Sequence, residues 1–319
     1  VAQFHLLAPV ADDWSVALDV SWEDMSGASP WFVGESAEGD SKVVMSGASI
    51  EDTRTEVSVT TRYYYDRGSA GFNYSRSDED DYESDAVAVD ASYDSDDGMS
   101  TYSASLSASA DEIEPTQGVT PTGTLKDEKD IRSAWVGVSR IVSKRAILRF
   151  GLSYTYRDGF LTDPYKLNDE RPDRRNEWVI QGGYRQFLVT PNAALHVDYR
   201  YFNDDWGIDA HTVDIAWHQN VGGRTAIIPF LRYHTQDEAD FFANSVDFSE
   251  RYYADDYRLS AYGAVSLGLK LRHDIGNWRL NLAAERYQSN NEWGIYGGEE
   301  SPALVDFWRT SIGLDYRFR

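Results

Sequence analysis

The 319-residue sequence has no cysteine and only three methionines. Without cysteine there is no disulfide framework, no thiolate metal ligand, no cysteine nucleophile and no Cys-x-x-Cys-His site for covalent haem. The same absence suits export through an oxidising compartment. Cations are scarce: 30 Lys and Arg stand against 53 Asp and Glu, a formal charge of -23. A surface so acidic excludes nucleic acid as a natural partner. No apolar run approaches the roughly 20 residues of a membrane helix, although β-barrels cross membranes without such runs. No glycine-rich phosphate loop and no Gly-x-Ser-x-Gly elbow is present, and no enzyme is expected. The chain starts at Val1 with neither an initiator methionine nor a signal peptide, and reads as a processed or partial chain.

What replaces helical periodicity is alternation. Trp14, Val16, Leu18, Val20 and Trp22 alternate with Ser15, Ala17, Asp19 and Ser21. Val57, Val59, Thr61, Tyr63 and Tyr65 alternate with Glu56, Ser58, Thr60 and Arg62. Leu195, Val197, Tyr199 and Tyr201 alternate with His196, Asp198 and Arg200, and after a bend Val213, Ile215 and Trp217 alternate with Thr212, Asp214 and Ala216. A period of two over this many residues means strands with two chemically different faces. About fifteen such segments follow one another, each near or above the ~9–11 residues of a tilted membrane strand.

The connections sort into two kinds. Pro9–Asp13, Asp66–Gly68, Asp94–Gly98, Ser143–Lys144, Thr190–Asn192, Val221–Arg224 and His273–Gly276 are short. Between them lie the longer 24–53, 77–84, 110–130, 158–174, 237–256 and 290–304, with Asn203–Gly207 the one short link on that side. Short turns at one end and long loops at the other predict a single domain over 1–319, a transmembrane antiparallel up-and-down β-barrel. Bacterial barrels have even strand numbers, so the expected count is about 16 with a first strand missing from this chain, or 14 if Val1–Ala8 is not a strand. Trp14, Trp22, Tyr63, Tyr65, Tyr199, Tyr201, Trp308, Tyr316 and Phe318 flank the apolar face as interfacial girdles do, unlike the Leu, Ile and Val core of a soluble sandwich.

Several segments carry a family resemblance: MSGASPW (25–31), MSGASIEDTR (45–54), SRSDEDDYES (75–84), DEIEP (111–115), LTDPYKLNDERPDRR (161–175), HVDYRYFNDDWGIDAHT (196–212), PFLRYHTQDEADFF (229–242) and ADDYRLSAYGAVSLGLKL (254–271). Together, over essentially the whole chain, they resemble a bacterial outer-membrane β-barrel family of unknown function, domain of unknown function family 3570. The resemblance implies location in the bacterial outer membrane and a further Tyr-rich strand ahead of Val1. It also implies a gene setting beside an ApbE-type flavin transferase, a small lipoprotein and thioredoxin-like proteins, hence an envelope redox system. It supplies no catalytic residues.

With the apolar face toward outer-membrane lipid, the polar face lines a lumen. Its candidates for a constriction are Arg62, Arg149, His196, Asp198, Arg200, Asp214, His218 and Arg232. They read either as a self-neutralising network that stiffens the wall or as a charged filter. If the hairpin turns near Asp204–Asp205, Asp198 lies opposite Asp214 and His196 diagonal to His218, which makes these four weak candidates for a metal; no cofactor is expected.

The loop at 161–175 offers Asp163, Tyr165, Lys166, Arg171, Arg174 and Arg175 as constriction or docking residues, or as a loop held by its own ion pairs. The acidic runs, Asp255 and Asp256 among them, read as solvated charge. The bend at 203–207 reads as a low point in the outer rim. The function expected is a porin-like pore or conduit with a polar, mixed-charge lumen. The alternatives are a non-conducting scaffold for a lipoprotein or redox partner, and a barrel-embedded hydrolase.

Overall fold

A computed structural model describes residues 1–28, 31–36, 39–45, 50–115 and 126–317. Its wall has fifteen strands: β1 (Ala2–Ala11), β2 (Trp14–Ala28), β3 (Ile50–Tyr65), β4 (Gly68–Asp78), β5 (Tyr82–Asp94), β6 (Ser100–Ile113), β7 (Asp127–Ser143), β8 (Ala146–Gly159), β9 (Arg174–Leu188), β10 (Ala193–Asp204), β11 (Asp209–Val221), β12 (Thr225–Gln236), β13 (Tyr262–Ile275), β14 (Trp278–Asn290) and β15 (Phe307–Tyr316). They form one sheet in strict chain order, each strand antiparallel to the next. This is the up-and-down antiparallel β-barrel architecture, with β1 and β15 at the two sheet edges. Because the described strands are odd in number, those two run in the same direction. The segment at Val1–Ala8 does form a strand, which removes the fourteen-strand count. Phe318, taken as the end of the last strand, and Arg319 lie outside the described residues, as do 116–125 of the loop expected at 110–130.

Register fixes the two faces. Ser15 pairs with Arg62, Gly71 with Asp90, Arg149 with Gly183, Asp198 with Asp214, and Asp214 with Arg232. Polar side chains therefore share one side of the sheet from strand to strand. The other side is a belt of large apolar residues left open, including Val59, Phe72, Val89, Leu106, Phe150, Ile180, Ile215, Leu231, Leu267 at 64% exposure and Ile312 at 80%. Soluble monomers rarely expose apolar patches beyond a few hundred Å². A belt running round the whole sheet is satisfied only by lipid. At the short-turn rim, aromatic rings meet across neighbouring strands, Trp14 on Tyr63 at 5.0 Å and Trp278 on Tyr316 at 4.6 Å.

The tight turns fall at the expected end. Asn192 at φ 51° and Gly276 at φ 61° supply the left-handed residues that such turns need. One correction concerns 77–84, expected to be a long loop: β4 continues to Asp78 and β5 starts at Tyr82, leaving three residues between them. Its acidic run looked like loop, but Arg76 sits between Glu83 at 2.6 Å and Asp85 at 2.9 Å, so alternating charges pair across the extended strands.

Candidate functional site in the lumen and its cap

The lumen-facing candidates fall into three groups. Arg149, Asp198, Arg200, Asp214 and Arg232 line one recess of about 420 Å³ in the wall formed by β7–β12. Asp198 lies opposite Asp214 as the pattern required, and Arg232 reaches Asp214 at 3.5 Å. Asp198 is shared by Arg185, at 2.6 and 2.8 Å to its two oxygens, and by Arg149 at 3.5 Å. Gly183 is what permits this crossing, since a Cβ there would stand 2.8 Å from Asp198 Oδ1 and 3.3 Å from Arg149 Nε.

His196 and His218 form the second group. They are diagonal across β10 and β11, and their ring centroids are 4.0 Å apart. Arg62 stands apart from both, on β3, where it holds Asp90 through two hydrogen bonds of 2.8 Å. The four weak metal candidates do not assemble into a donor set, because Asp198 faces Arg185 and Asp214 faces Arg232. Arg185, Trp135 and Gln181 belong to the lumenal wall and were missed. The alternation of Glu177, Val179, Gln181, Gly183 and Arg185 along β9 is the signal that contained two of them.

Above the wall, loops from opposite sides of the sheet interlock. The β2–β3 connection carries a hairpin of Trp31–Glu35 and Ser41–Met45. Its Val33 amide donates to Asp255 Oδ2 at 2.6 Å, and its Val33 carbonyl accepts from Asn168 at 3.2 Å. Asp255 lies in the β12–β13 loop and Asn168 in the β8–β9 loop, so three loops from distant strands meet at one point. Asp169–Glu170 pairs antiparallel with Tyr253–Ala254, and the Tyr165 hydroxyl contacts Asp81 at the β4–β5 turn. The loop at 161–175 is therefore neither free nor self-contained; it is part of a cap of interlocked loops at the long-loop end of the wall.

The cap's electrostatic centre is Asp256, at 0% exposure. Lys166 approaches it at 3.4 Å, Arg171 at 3.0 Å, and Arg258 chelates it from two residues on. Arg171 also grips buried Asp169 at 2.7 Å, and Arg258 reaches Asp163 at 3.3 Å. Asp255 and Asp256, expected to be solvated charge, are instead the most enclosed acids of the cap. Arg174 stays outside, on Asp158 at 3.0 Å, and Arg175 binds Asp204 below the cap.

Burial pushes Asp256 upward, but the Arg258 hydrogen bond and the charges of Lys166 and Arg258 outweigh it and hold the carboxyl at about 2, against 3.8 ordinarily. Burial raises Asp169 and Asp255 instead. A depressed acid contributes stability that is complete above its unfolded value and lost as pH falls through the folded one. The raised acids do the reverse and favour the cap as they protonate. The cap is thus expected to stay closed down to about pH 4 and to lose about 2 kcal/mol between there and pH 2. Pepsin cleavage within 237–261, followed from pH 5 to pH 2, reads this directly; a steady rise beginning at pH 5 would contradict it.

The short 203–207 link is not a low point. The β12–β13 loop folds over it, and Trp206, Ile208, Ala239, Ala254 and Leu259 form a small buried cluster there, with Leu161, Phe202, Phe241 and Phe242 packed against it. Gly207, at φ 96°, lets Asp240 approach so closely that a Cβ would meet its carboxylate at 2.5 Å. A second cavity of about 580 Å³ lies against the cap, lined by Tyr165, Arg171, Arg175, Trp206, Lys129 and Arg157 among others. At its edge Asp52, Glu79 and Asp81 bring carboxylate oxygens within 4.8 Å of one another. Burial first, and then the Asp52 charge, raises both Glu79 and Asp81.

The fold has solved counterparts. The siderophore receptor PirA from Pseudomonas aeruginosa is similar at a TM-score of 0.57 and 10% identity, covering 90% of this chain and 51% of that one. The ferric enterobactin receptor PfeA from Pseudomonas aeruginosa gives 0.58 and 11%, covering 98% and 56%. The ferric yersiniabactin uptake receptor FyuA from Yersinia pestis gives 0.55 and 8%, covering 98% and 63%. This chain thus spans between about half and two thirds of the length of these receptors, and the likeness is one of fold. No curated protein sequence matches it. A lipid-facing belt on the fold of bacterial outer-membrane receptors places the chain in the bacterial outer membrane. The model of the family described as a protein of unknown function, DUF3570, matches residues 2–307, and the chain belongs to that family.

Proposed function

We propose that this protein is a capped conduit for small polar solutes across the outer membrane. The observation that carries the reading is the pairing of a polar lumen wall, recessed on β7–β12, with a mouth roofed by loops joined through buried ion pairs. A wall built only for rigidity needs no recess of about 420 Å³ and no roof. Passage is passive: lumenal charges select, and the cap sets access. Neither role requires the chain to act as an enzyme.

Planar-bilayer recording of the purified barrel tests this. Small, ion-selective current steps are expected from the native protein, with larger or more frequent steps once the cap is unlocked by Asp256→Asn. Silence from both, together with a lipoprotein or redox protein that co-purifies stoichiometrically, would replace the conduit by a non-conducting scaffold.

A further inference from the structure

We infer that the recess on β7–β12 is a binding subsite for a small oxyanion, a solute carrying carboxylate or phosphate groups. The inference rests on the conduit reading only for treating that solute as cargo.

The first observation is an arginine without a partner. Arg200 lies over the Phe202 ring at 5.3 Å and faces the recess, and no described residue gives its guanidinium a hydrogen bond or an ion pair. The contact with Phe202 leaves the N–H groups of the fork without a protein acceptor among the described residues. That geometry suits bidentate capture of a carboxylate or phosphate.

The second is a pair of open neutral donors nearby. Gln181 Nε2 and Trp135 Nε1 lie 2.9 and 3.0 Å from the point where Gly151 would carry a Cβ, so both sit over that glycine. Neither nitrogen has a hydrogen-bond partner among the described residues. A side chain at position 151 would displace both.

The third is the charge balance. The acids of the recess are already engaged, Asp198 by Arg185 and Arg149, Asp214 by Arg232. Arg149, Arg185, Arg200 and Arg232 thus stand against Asp198, Asp214 and Glu177, whose charge acts on Arg200, in a chain whose total charge is strongly negative. Below them the His218 ring stands near Arg272, Arg185 and Lys270, and His196 near Arg185, Asp198 and Arg149, so cations outnumber the one carboxylate. The acidic outer loops do little against this, since charge is screened over about 8 Å at physiological ionic strength.

Calorimetric titration of the detergent-solubilised protein with succinate and, separately, inorganic phosphate tests the subsite, with glucose as a neutral control. Saturable binding of at least one anion and none of glucose is expected; which anion binds tells a carboxylate ligand from a phosphate ligand. Arg200→Gln should weaken that binding about tenfold or more. Arg309→Gln, which removes a cation of β15 that pairs with Glu285 of β14 at 2.5 Å and does not line the recess, should bind as the native protein does and controls for folding and bulk charge. Failure of both anions to bind, or an unchanged affinity in Arg200→Gln, overturns the subsite. Bilayer recording separates the two claims. Current without anion binding leaves the conduit and removes the subsite, whereas binding without current leaves the subsite and removes the conduit.

Discussion

Asp256→Asn is expected to release the cap and leave the wall intact. The native carboxylate, fully enclosed, answers three cations: Lys166 at 3.4 Å, Arg171 at 3.0 Å and chelating Arg258. Arg258 is largely exposed and loses little when the charge goes, because water replaces the carboxylate. Lys166 is buried and loses its nearest carboxylate, whereas Arg171 loses one of two partners and keeps Asp169. Loss of the charge costs the cap about 2 kcal/mol, as protonation does, and the buried Lys166 left without it makes local opening easier. The expected signs are faster hydrogen exchange and new protease cleavage in 160–173 and 237–261, with β-strand content and barrel melting unchanged.

Asp255→Asn is the informative contrast. Asp255 Oδ2 accepts from the Val33 amide and from Asn168, and an amide oxygen can accept in the same place. Burial already disfavours the Asp255 charge, so its removal should move cap stability by no more than about 1 kcal/mol. Equal loss of protection in the two variants would refute the assignment of Asp256 as the hub.

Legibility in the sequence followed physical scale. Alternation reports which side of a strand meets lipid, so the strands, their faces and the Asp198–Asp214 register were readable from local pattern alone. The rim was harder. The acidic run at 77–84 resembled a loop until Arg76 was seen to pair its charges across β4 and β5. The cap was not readable at all, since Val33 and Asp255 are 222 residues apart and no periodicity links them. An aspartate in a loop looks solvated until a cation from another loop covers it, which is why Asp255 and Asp256 were misplaced. The recess was half legible: five of its charged residues came from alternation, whereas Trp135 and Gln181 matter only through what Gly151 leaves open above it.

Trp206→Ala should open the cap from its other side. Trp206 is 4% exposed, meets Phe241 edge-on at 5.2 Å, and lies beneath the Arg175 guanidinium at 4.3 Å. Its indole N–H donates to the Arg174 carbonyl at 2.8 Å. Emptying such a site costs about 3–5 kcal/mol in a compact core. Here the cost falls on the β12–β13 loop, whose Ala239, Ala254 and Leu259 have that ring as their shared floor. Trp206→Phe keeps the floor and loses one hydrogen bond, for about 1 kcal/mol. The comparison with Asp256→Asn then decides how the cap moves. If Trp206→Ala exposes 237–261 to protease while 160–173 stays protected, the two loops are separately latched, and the short link at 203–207 becomes a side entrance. If both segments lose protection together, the ion pairs at Asp256 and the cluster at Trp206 hold one cooperative lid. Unchanged protection in both segments would mean that the aromatic cluster contributes nothing to closure.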